Sequence, residues 1–431
     1  YNFLSILYLN FKTNRQKKFF FKNKKKVFLE KEKNYTSTKK YFIKFYSYLI
    51  SFLRNKNCPL ILNSSLPFLF EKYLEIKDIN FPQFYYEKKY KSSYTTNKKL
   101  RKRLHFKTTS KNKLEKFLLE NIYKFVPKCF VEDFKKVNFL SNNFIYPKNP
   151  KFILTGYEYS DNEVFKFYAA NKVSKKFPLY IAQHGNNFFS RLDYIDEPEK
   201  KFASNYLSWG YKKEKKIKPF FNFKTYSAIK YKINLSGKII FLFDDIGSSP
   251  KMHYENIFMH KQLELSKVFI NKCEPALKKR LLLRLKPSFF KNYFDTNYAK
   301  SFYDLGVRVD SGQKPIKELL RDCSLTIYNY DSTGVLENFL NNIPTLILVP
   351  SEFNFFLRSD IKKKYGYLYE ANIMFNCPNK LIKHINSIET NVYKWWKSKS
   401  TSNAIKLFNK DFNENFTKSK LKKLNDFLFK K

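Results

Sequence analysis

Glycine is the scarcest of the residues a backbone relies on for turns, with nine in 431 positions, all between Gly156 and Gly366. With so few available, Gly should remain mainly where the chain needs a left-handed turn or a close approach. That interval should therefore hold the tight strand-to-helix turns, and the glycine-free ends should be mainly helix and irregular basic segments. Cysteine is sparse too: Cys58, Cys129, Cys273, Cys323 and Cys377 are dispersed, odd in number and without CxxC or Cys/His ligand spacing. This excludes a disulfide framework and a four-ligand zinc site, and reads as free thiols of a reducing compartment. Long apolar runs are also missing. The best candidate, Tyr41 to Leu53, carries Lys44 and falls short of the ~20 residues a bilayer span requires, so it can lie on a membrane but not cross one. Tyr1 to Asn10 precedes basic residues and lacks a small-residue cleavage site, unlike a signal peptide. A cytoplasmic protein is expected, with a peripheral place at the inner face of the cell membrane open to it.

Acidic residues are outnumbered 37 to 83 by basic ones, for a formal charge of +46. Such an excess ordinarily points to nucleic acid or an anionic membrane. Only ten of the basic residues are Arg, however, and the Lys excess comes with abundant Asn, Ile, Phe and Tyr, as an A/T-rich coding sequence would leave it. A dedicated nucleic-acid binder draws on Arg for bidentate contacts, so nucleic acid is set aside as a partner and contact with an anionic membrane is kept.

The length favours two domains. A basic N-terminal segment, 1–56, contains one amphipathic helix near Lys39 to Leu53. Leu60 to Leu62 is a short strand, Tyr85 to Ser110 an exposed Lys-, Thr- and Ser-rich loop, and Lys113 to Tyr123 a helix. From Lys151 the pattern changes to short apolar runs closed by Gly, Asp or His, as buried parallel strands are. These are Phe152 to Thr155, Leu179 to Ala182 and Tyr206 to Trp209, with a crossover helix within Tyr157 to Lys175. The Lys-rich stretch Tyr211 to Ser236 separates them from a second set of five strands: Lys238 to Phe243, Leu281 to Leu285, Val307 to Val309, Leu325 to Tyr328 and Thr345 to Val349. Helices are expected over Asn256 to Cys273, Pro315 to Arg321, Gly334 to Asn341 and Pro378 to Ile388. The fold class is α/β, two Rossmann-like domains facing across a cleft, with boundaries at 57–232 and 233–390 and C-terminal helices over 391–431 that return across the cleft.

In open parallel sheets, ligands collect beyond the carboxyl ends of the strands. Three candidates stand there. His184, between Gln183 and Gly185, follows the strand ending at Ala182 and suits a general base on an acceptor hydroxyl, with Gln183 as helper. Asp331, Ser332, Thr333 and Gly334 precede a helix, whose first amides attract phosphate; Glu337 lies one turn inward and suits ribose hydroxyls. An ordinary capped helix would use the same residues. Arg284 and Lys286, spaced by one residue at a strand end, project to the same side and would face a diphosphate or a sugar carboxylate. Asp244-Asp245 is only loosely like a metal-binding DxD and supplies too few oxygens alone; it is expected to cap its loop. His253 and His260 read as surface or packing residues. No metal and no cofactor is expected.

The ordered series Ile181-Ala182-Gln183-His184-Gly185, Tyr206-Leu207-Ser208-Trp209-Gly210, Leu283-Arg284-Leu285 with Pro287, Tyr328-Asn329-Tyr330-Asp331-Ser332-Thr333 with Leu336-Glu337, Asn342-Ile343-Pro344-Thr345, and Val392-Tyr393-Lys394-Trp395-Trp396-Lys397 resembles a family of bacterial transferases of surface-polysaccharide loci, of leptospiral type. Asn63 to Pro67 and Phe81-Pro82-Gln83 look like the same family's N-terminal part. That family is similar to GT-B glycosyltransferases and to polyol-phosphate and Kdo transferases. The resemblance implies an acceptor-side first domain, a nucleotide-binding second one and no obligatory metal. His184 would be the cleft His, and Ser332, Thr333 and Glu337 would hold the donor. Two positions depart from the pattern: Asn186 stands where a second Gly often follows the His-Gly pair, and Lys286-Pro287 replaces an aromatic-Pro.

The expected function is transfer of a sugar from a nucleotide-activated donor, a CMP-linked acidic sugar being one that suits a basic cleft, to a glycan or lipid-linked glycan acceptor of the cell surface. The alternatives are a phosphopolyol transferase of the same fold and, in another class, a basic nucleic-acid-binding protein.

Overall fold

The computed structural model describes residues 37–429 apart from 54–56, 77–89, 91, 93–94, 106–107, 110, 144–145, 187–189, 193–197, 226–233, 244–252, 286–300, 311, 313 and 411. Phe81-Pro82-Gln83, Asp244-Asp245 and Lys286-Pro287 lie outside the described residues, as does most of the basic segment 1–56. The chain forms two compact units, Tyr1–Ala182 and Gln183–Lys431.

The first unit contains α1 (Ser37–Leu53), β1 (Leu60–Leu62), α2 (Phe68–Ile76), α3 (Lys98–Lys102), α4 (Lys113–Asn121), α5 (Phe134–Asn143), β2 (Ile153–Thr155), α6 (Glu158–Asp161), α7 (Glu163–Ser174) and β3 (Leu179–Ala182). β1 and β3 both pair in parallel with β2, Leu60 and Leu179 flanking Ile153. The strands read as unbroken apolar runs because both their faces are covered. The crossover expected as one helix is two: Asn162 accepts from the Phe165 amide at 3.0 Å while its Nδ2 donates to Glu158 at 2.6 Å, so a cap interrupts the run. The exposed loop expected over Tyr85 to Ser110 is corrected as well. It contains α3, whose Arg101 is buried and grips Glu132 with two bonds of 2.7 and 2.8 Å. Those bonds hold the Glu132 carboxyl down at about 2. A paired, bidentate geometry is what makes such burial of charge tolerable.

In the second unit α8 (Pro198–Phe202) precedes β4 (Asn205–Ser208), which pairs in parallel with β5 (Ile217–Pro219). There follow β6 (Lys238–Leu242), α9 (His253–Lys272), α10 (Pro275–Arg280), β7 (Leu281–Arg284), β8 (Arg308–Asp310), α11 (Ile316–Arg321), β9 (Cys323–Tyr328), α12 (Thr333–Leu340), β10 (Thr345–Leu348), α13 (Ser359–Glu370), β11 (Met374–Phe375), α14 (Pro378–Ile388), α15 (Val392–Trp396), α16 (Lys399–Asn409) and α17 (Lys418–Phe429). β6 to β11 form a parallel sheet of six described strands, ordered β11-β10-β9-β6-β7-β8, one more than the five expected. The expected α/β chain with two parallel sheets is what the structure contains. The core of the larger sheet is rich in Phe: Phe241, Phe243, Phe269 and Phe302 meet at ring-centroid distances of 4.5 to 5.5 Å. Tilted and edge-to-face contacts of this kind add to the area that each ring buries.

Glycine scarcity has a structural counterpart. The left-handed residues that end α12 and α13 are Asn342 (φ 58°) and Asn372 (φ 54°), Asn being the side chain that best tolerates that region after Gly. All five cysteines are free thiols, four of them buried.

Candidate functional site

The second unit carries a polar site at the end of β9. Ser332 caps α12, its Oγ accepting from the Gly334 amide at 3.0 Å. Gly334 has no room for a side chain, since a Cβ there would lie 2.6 Å from the Tyr328 hydroxyl. Asp331, immediately before the cap, is 7% exposed. Its Oδ1 accepts from the Asn186 side-chain amide and its Oδ2 from the Tyr365 hydroxyl of α13. Burial pushes the Asp331 carboxyl up to about 6, against the pull of the Tyr365 hydroxyl, the Arg191 charge and the Asn186 amide.

Asn186 also donates its backbone N–H to Thr333 Oγ1 at 3.2 Å. The loop after β3 is thus stitched twice to the start of α12. Its other end is anchored by Gln183, which is 1% exposed: Nε2 donates to the Gly185 carbonyl at 2.8 Å and Oε1 accepts from the Trp209 amide at 2.9 Å. Both ends of the Gln183 amide are therefore engaged in shaping the loop. His184 stands between these anchors, half-buried, with Nδ1 shielded from water. Ser332 and Thr333 use their oxygens as acceptors, so the O–H of each remains to be donated.

Glu337, one turn into α12, is half-buried. Burial raises its pKa and Lys224 and Lys317 oppose the rise. Lys224 keeps contact with solvent, yet its pKa is lowered by desolvation, with Glu337 opposing. The loop bearing Lys224 is held by the C-terminal segment. Asn222 donates its N–H to the Glu414 carbonyl and its Nδ2 to Asn413 Oδ1, and Asn413 Nδ2 donates to the Leu336 carbonyl of α12. Trp396 and Phe408 pack on Phe339 of the same helix.

Arg284 ends β7 level with Leu242 of β6, which is itself level with Tyr328 of β9. That places Arg284 ~10 Å from the end of β9 at ordinary strand spacing. Its guanidinium is engaged locally, with the Asp310 carboxylate and with the Gly312 and Lys314 carbonyls at 3.3 and 2.6 Å. Lys286 lies outside the described residues. His260 is exposed. Among the described residues no three His, Cys, Asp or Glu side chains converge as metal ligands would.

Of the predicted residues, the structure ties the loop of Gln183, His184 and Gly185 through Asn186 to the start of α12 at Asp331, Ser332, Thr333 and Gly334, with Glu337 one turn further along that helix. The residues that sequence reasoning passes over are Lys224, Arg191, Tyr365 and Asn413. Lys224 sits in a Lys-rich stretch and Tyr365 is one of 32 tyrosines, so neither carries a local signal. Asn186 is visible only as a departure from the His-Gly-Gly pattern.

Parallel strands followed by capped helix starts define an α/β protein built on parallel sheets. The chain belongs to the family described as LIC12162 family transferase, which matches residues 2–428. No curated protein matches it by sequence. Among solved structures it is similar to a Listeria monocytogenes protein described as a UDP-N-acetylglucosamine 2-epimerase, at 12% identity over 85% of this chain and 94% of that one, with a TM-score of 0.44. It is also similar to S. aureus TarM, solved with fondaparinux, α-GlcNAc-glycerol and UDP, at 14% identity over 65% and 55% of the two chains and a TM-score of 0.39. A third is the wall teichoic acid polymerase TagF, at 12% identity over 69% and 83% and a TM-score of 0.34.

Proposed function

We propose that the protein is a glycosyltransferase of GT-B type that moves a sugar from a nucleotide-activated donor to a glycan or lipid-linked glycan acceptor of the cell surface. In this reading 57–232 is the acceptor-side domain, 233–390 the donor-binding domain and 391–431 the C-terminal helices, and the reaction proceeds without a metal. One observation carries the proposal: the loop bearing His184 is tied through Asn186 to Asp331 and Thr333 at the start of α12. In this reading the tie keeps the base close to a phosphate-binding helix start, which is what transfer from a phosphate leaving group to a hydroxyl requires.

His184 takes the proton of the acceptor hydroxyl as its oxygen bonds to the sugar's anomeric carbon. The bond from that carbon to the nucleotide phosphate oxygen breaks, and the departing charge is met by the first amides of α12 and the hydroxyls of Ser332 and Thr333. Glu337 receives ribose hydroxyls, and Lys224, within electrostatic reach of Glu337, serves as a second cation for the phosphate. Arg284 is given a shaping role, holding Asp310, Gly312 and Lys314, because its guanidinium is already engaged. A CMP-linked acidic sugar suits the lysines around the site.

The test is thermal stabilisation of the purified chain by CDP, CMP, UDP, GDP and dTDP at fixed salt. The expected result is a rise in Tm with one nucleotide, lost in Glu337→Ala and kept in His184→Ala, and abolition of transfer in both. No response to any nucleotide, with tight salt-sensitive binding of single-stranded RNA instead, would sink the reading.

A further inference from the structure

Helix α1 wears its apolar side outward. Ser47 and Ile50 are buried against the protein, while Tyr41, Phe42, Phe45, Tyr48, Leu49 and Phe52 are exposed, the three Phe rings by 68, 66 and 69%. At 100° per residue these six fall within one arc of about 120°. A helix on a protein with no further partner turns such a stripe inward, because apolar area in water is unfavourable by about 25 cal/mol per Å². Helix α2 repeats the arrangement with Phe68, Leu69, Tyr73 and Ile76 exposed, Leu69 by 71%. The two helices are neighbours, since Glu75 of α2 lies within electrostatic reach of Tyr46 of α1.

Charge selects the occupant. Residues 37–53 contain three lysines and no acid, and residues 11–36 contain ten Lys or Arg against two Glu. Like charge disfavours pairing of α1 with α1 of a second copy, and it equally disfavours covering by the basic residues 11–36. An anionic bilayer satisfies both features, with headgroups for the lysines and the acyl boundary for the rings. At 17 residues α1 is about 26 Å long, shorter than the ~30 Å hydrocarbon core. Among the described residues no helix is long and apolar enough to cross a membrane. The geometry is that of a helix lying in the interface.

We propose that α1 and α2 form a docking face for the surface of an anionic phospholipid bilayer, seated by the Phe and Tyr rings of α1 and the apolar residues of α2. This deepens the proposed function, because a lipid-linked acceptor would be presented at such a surface, but the face is defined by exposure and charge without it.

The experiment is co-sedimentation of the full chain with phosphatidylcholine vesicles, with and without phosphatidylglycerol, for the natural protein and for the triple variant Phe42→Ser/Phe45→Ser/Phe52→Ser. The natural chain should partition ~10-fold more strongly to anionic vesicles and lose that preference at high salt. The triple variant should partition at least ~10-fold more weakly while keeping its Tm and its nucleotide response, since the altered rings are exposed. A single Phe45→Trp variant, compared with the natural chain, provides a second readout: its added indole emission should move to the blue only when anionic vesicles are present. Equal partition of natural and triple-variant chains would overturn the proposal. So would a Phe45→Trp emission already blue-shifted without vesicles, or a vesicle-indifferent dimer that the triple variant dissolves, each of which assigns the face to protein. Loss of the nucleotide response in every chain would instead count against the transferase reading and leave this face untouched.

Discussion

β7 and β9 are separated only by β6, and both lead to charged residues at the same edge of the sheet. Their fates differ. Arg284 turns to partners 26 to 30 residues further along, Asp310, Gly312 and Lys314. Asp331 is reached by Asn186 and by Tyr365, 145 and 34 residues away. A charged strand end is tied into a wider network when its partners arrive from another stretch of chain. When the partners are local, the charge is absorbed into the fold.

The comparison can be pressed hardest through pH. Asp331 moves from an ordinary 3.8 to about 6 on folding, so its proton is held more tightly in the folded state. Its contribution to stability is full below about 4 and is lost as pH rises through about 6, a change of ~3 kcal/mol at most. Urea denaturation from pH 4 to 7 should show that decline, and Asp331→Asn should flatten it; the same slope in both chains would show that Asp331 does not carry the pH dependence. Next in size is Gly334→Ala, whose Cβ would press on the Tyr328 hydroxyl in the core. It should cost ~2 kcal/mol by overpacking and abolish nucleotide stabilisation, both readable in melting curves.

Asn186→Ala removes one partner of the buried Asp331 carboxylate and should destabilise by ~2 kcal/mol. Calorimetry should show donor binding nearly retained while transfer assays fall, because the change frees the His184 loop and leaves the α12 cap in place. The smallest effect is expected from Arg284→Met, a loss of ~1 kcal/mol for a half-buried pair with donor affinity unchanged. If that substitution spared stability and abolished nucleotide binding, the contrast between the two strand ends would be reversed.

Elements marked by continuous apolar runs are legible in the sequence. β1, β3 and α14 have the limits expected for them, and the strands of the larger sheet begin or end within about two residues of expectation, as boundaries usually do. The elements that escape notice have no periodic signal. β5 hides in a Lys-rich stretch because its three residues, Ile217-Lys218-Pro219, contain a single branched aliphatic side chain. β11 is two residues long. α3 lies in a Lys- and Thr-rich run, and its place is set by Arg101 finding Glu132 across 31 positions. Turns are only partly legible for a related reason: glycine marks some of them, but Asn342 and Asn372 occupy left-handed positions as well.

For the site, residue type and strand-end position suffice to nominate His184, Asp331, Ser332, Thr333 and Glu337. The same logic nominates Arg284, and nothing local distinguishes its surroundings from theirs. Lys224 has no signal among its neighbours; only Asn413 and Glu414, holding its loop beside α12, single it out.

The sequence by itself determined the class of fold and nominated the strand ends as the place for chemistry, because short buried strands and capped helices are written in local hydrophobic pattern and local hydrogen bonding. Only the tertiary structure decided which charges are absorbed and which remain available, and that α1 carries its apolar stripe outward. Those outcomes depend on partners far apart in the chain, and on burial, which no local pattern encodes.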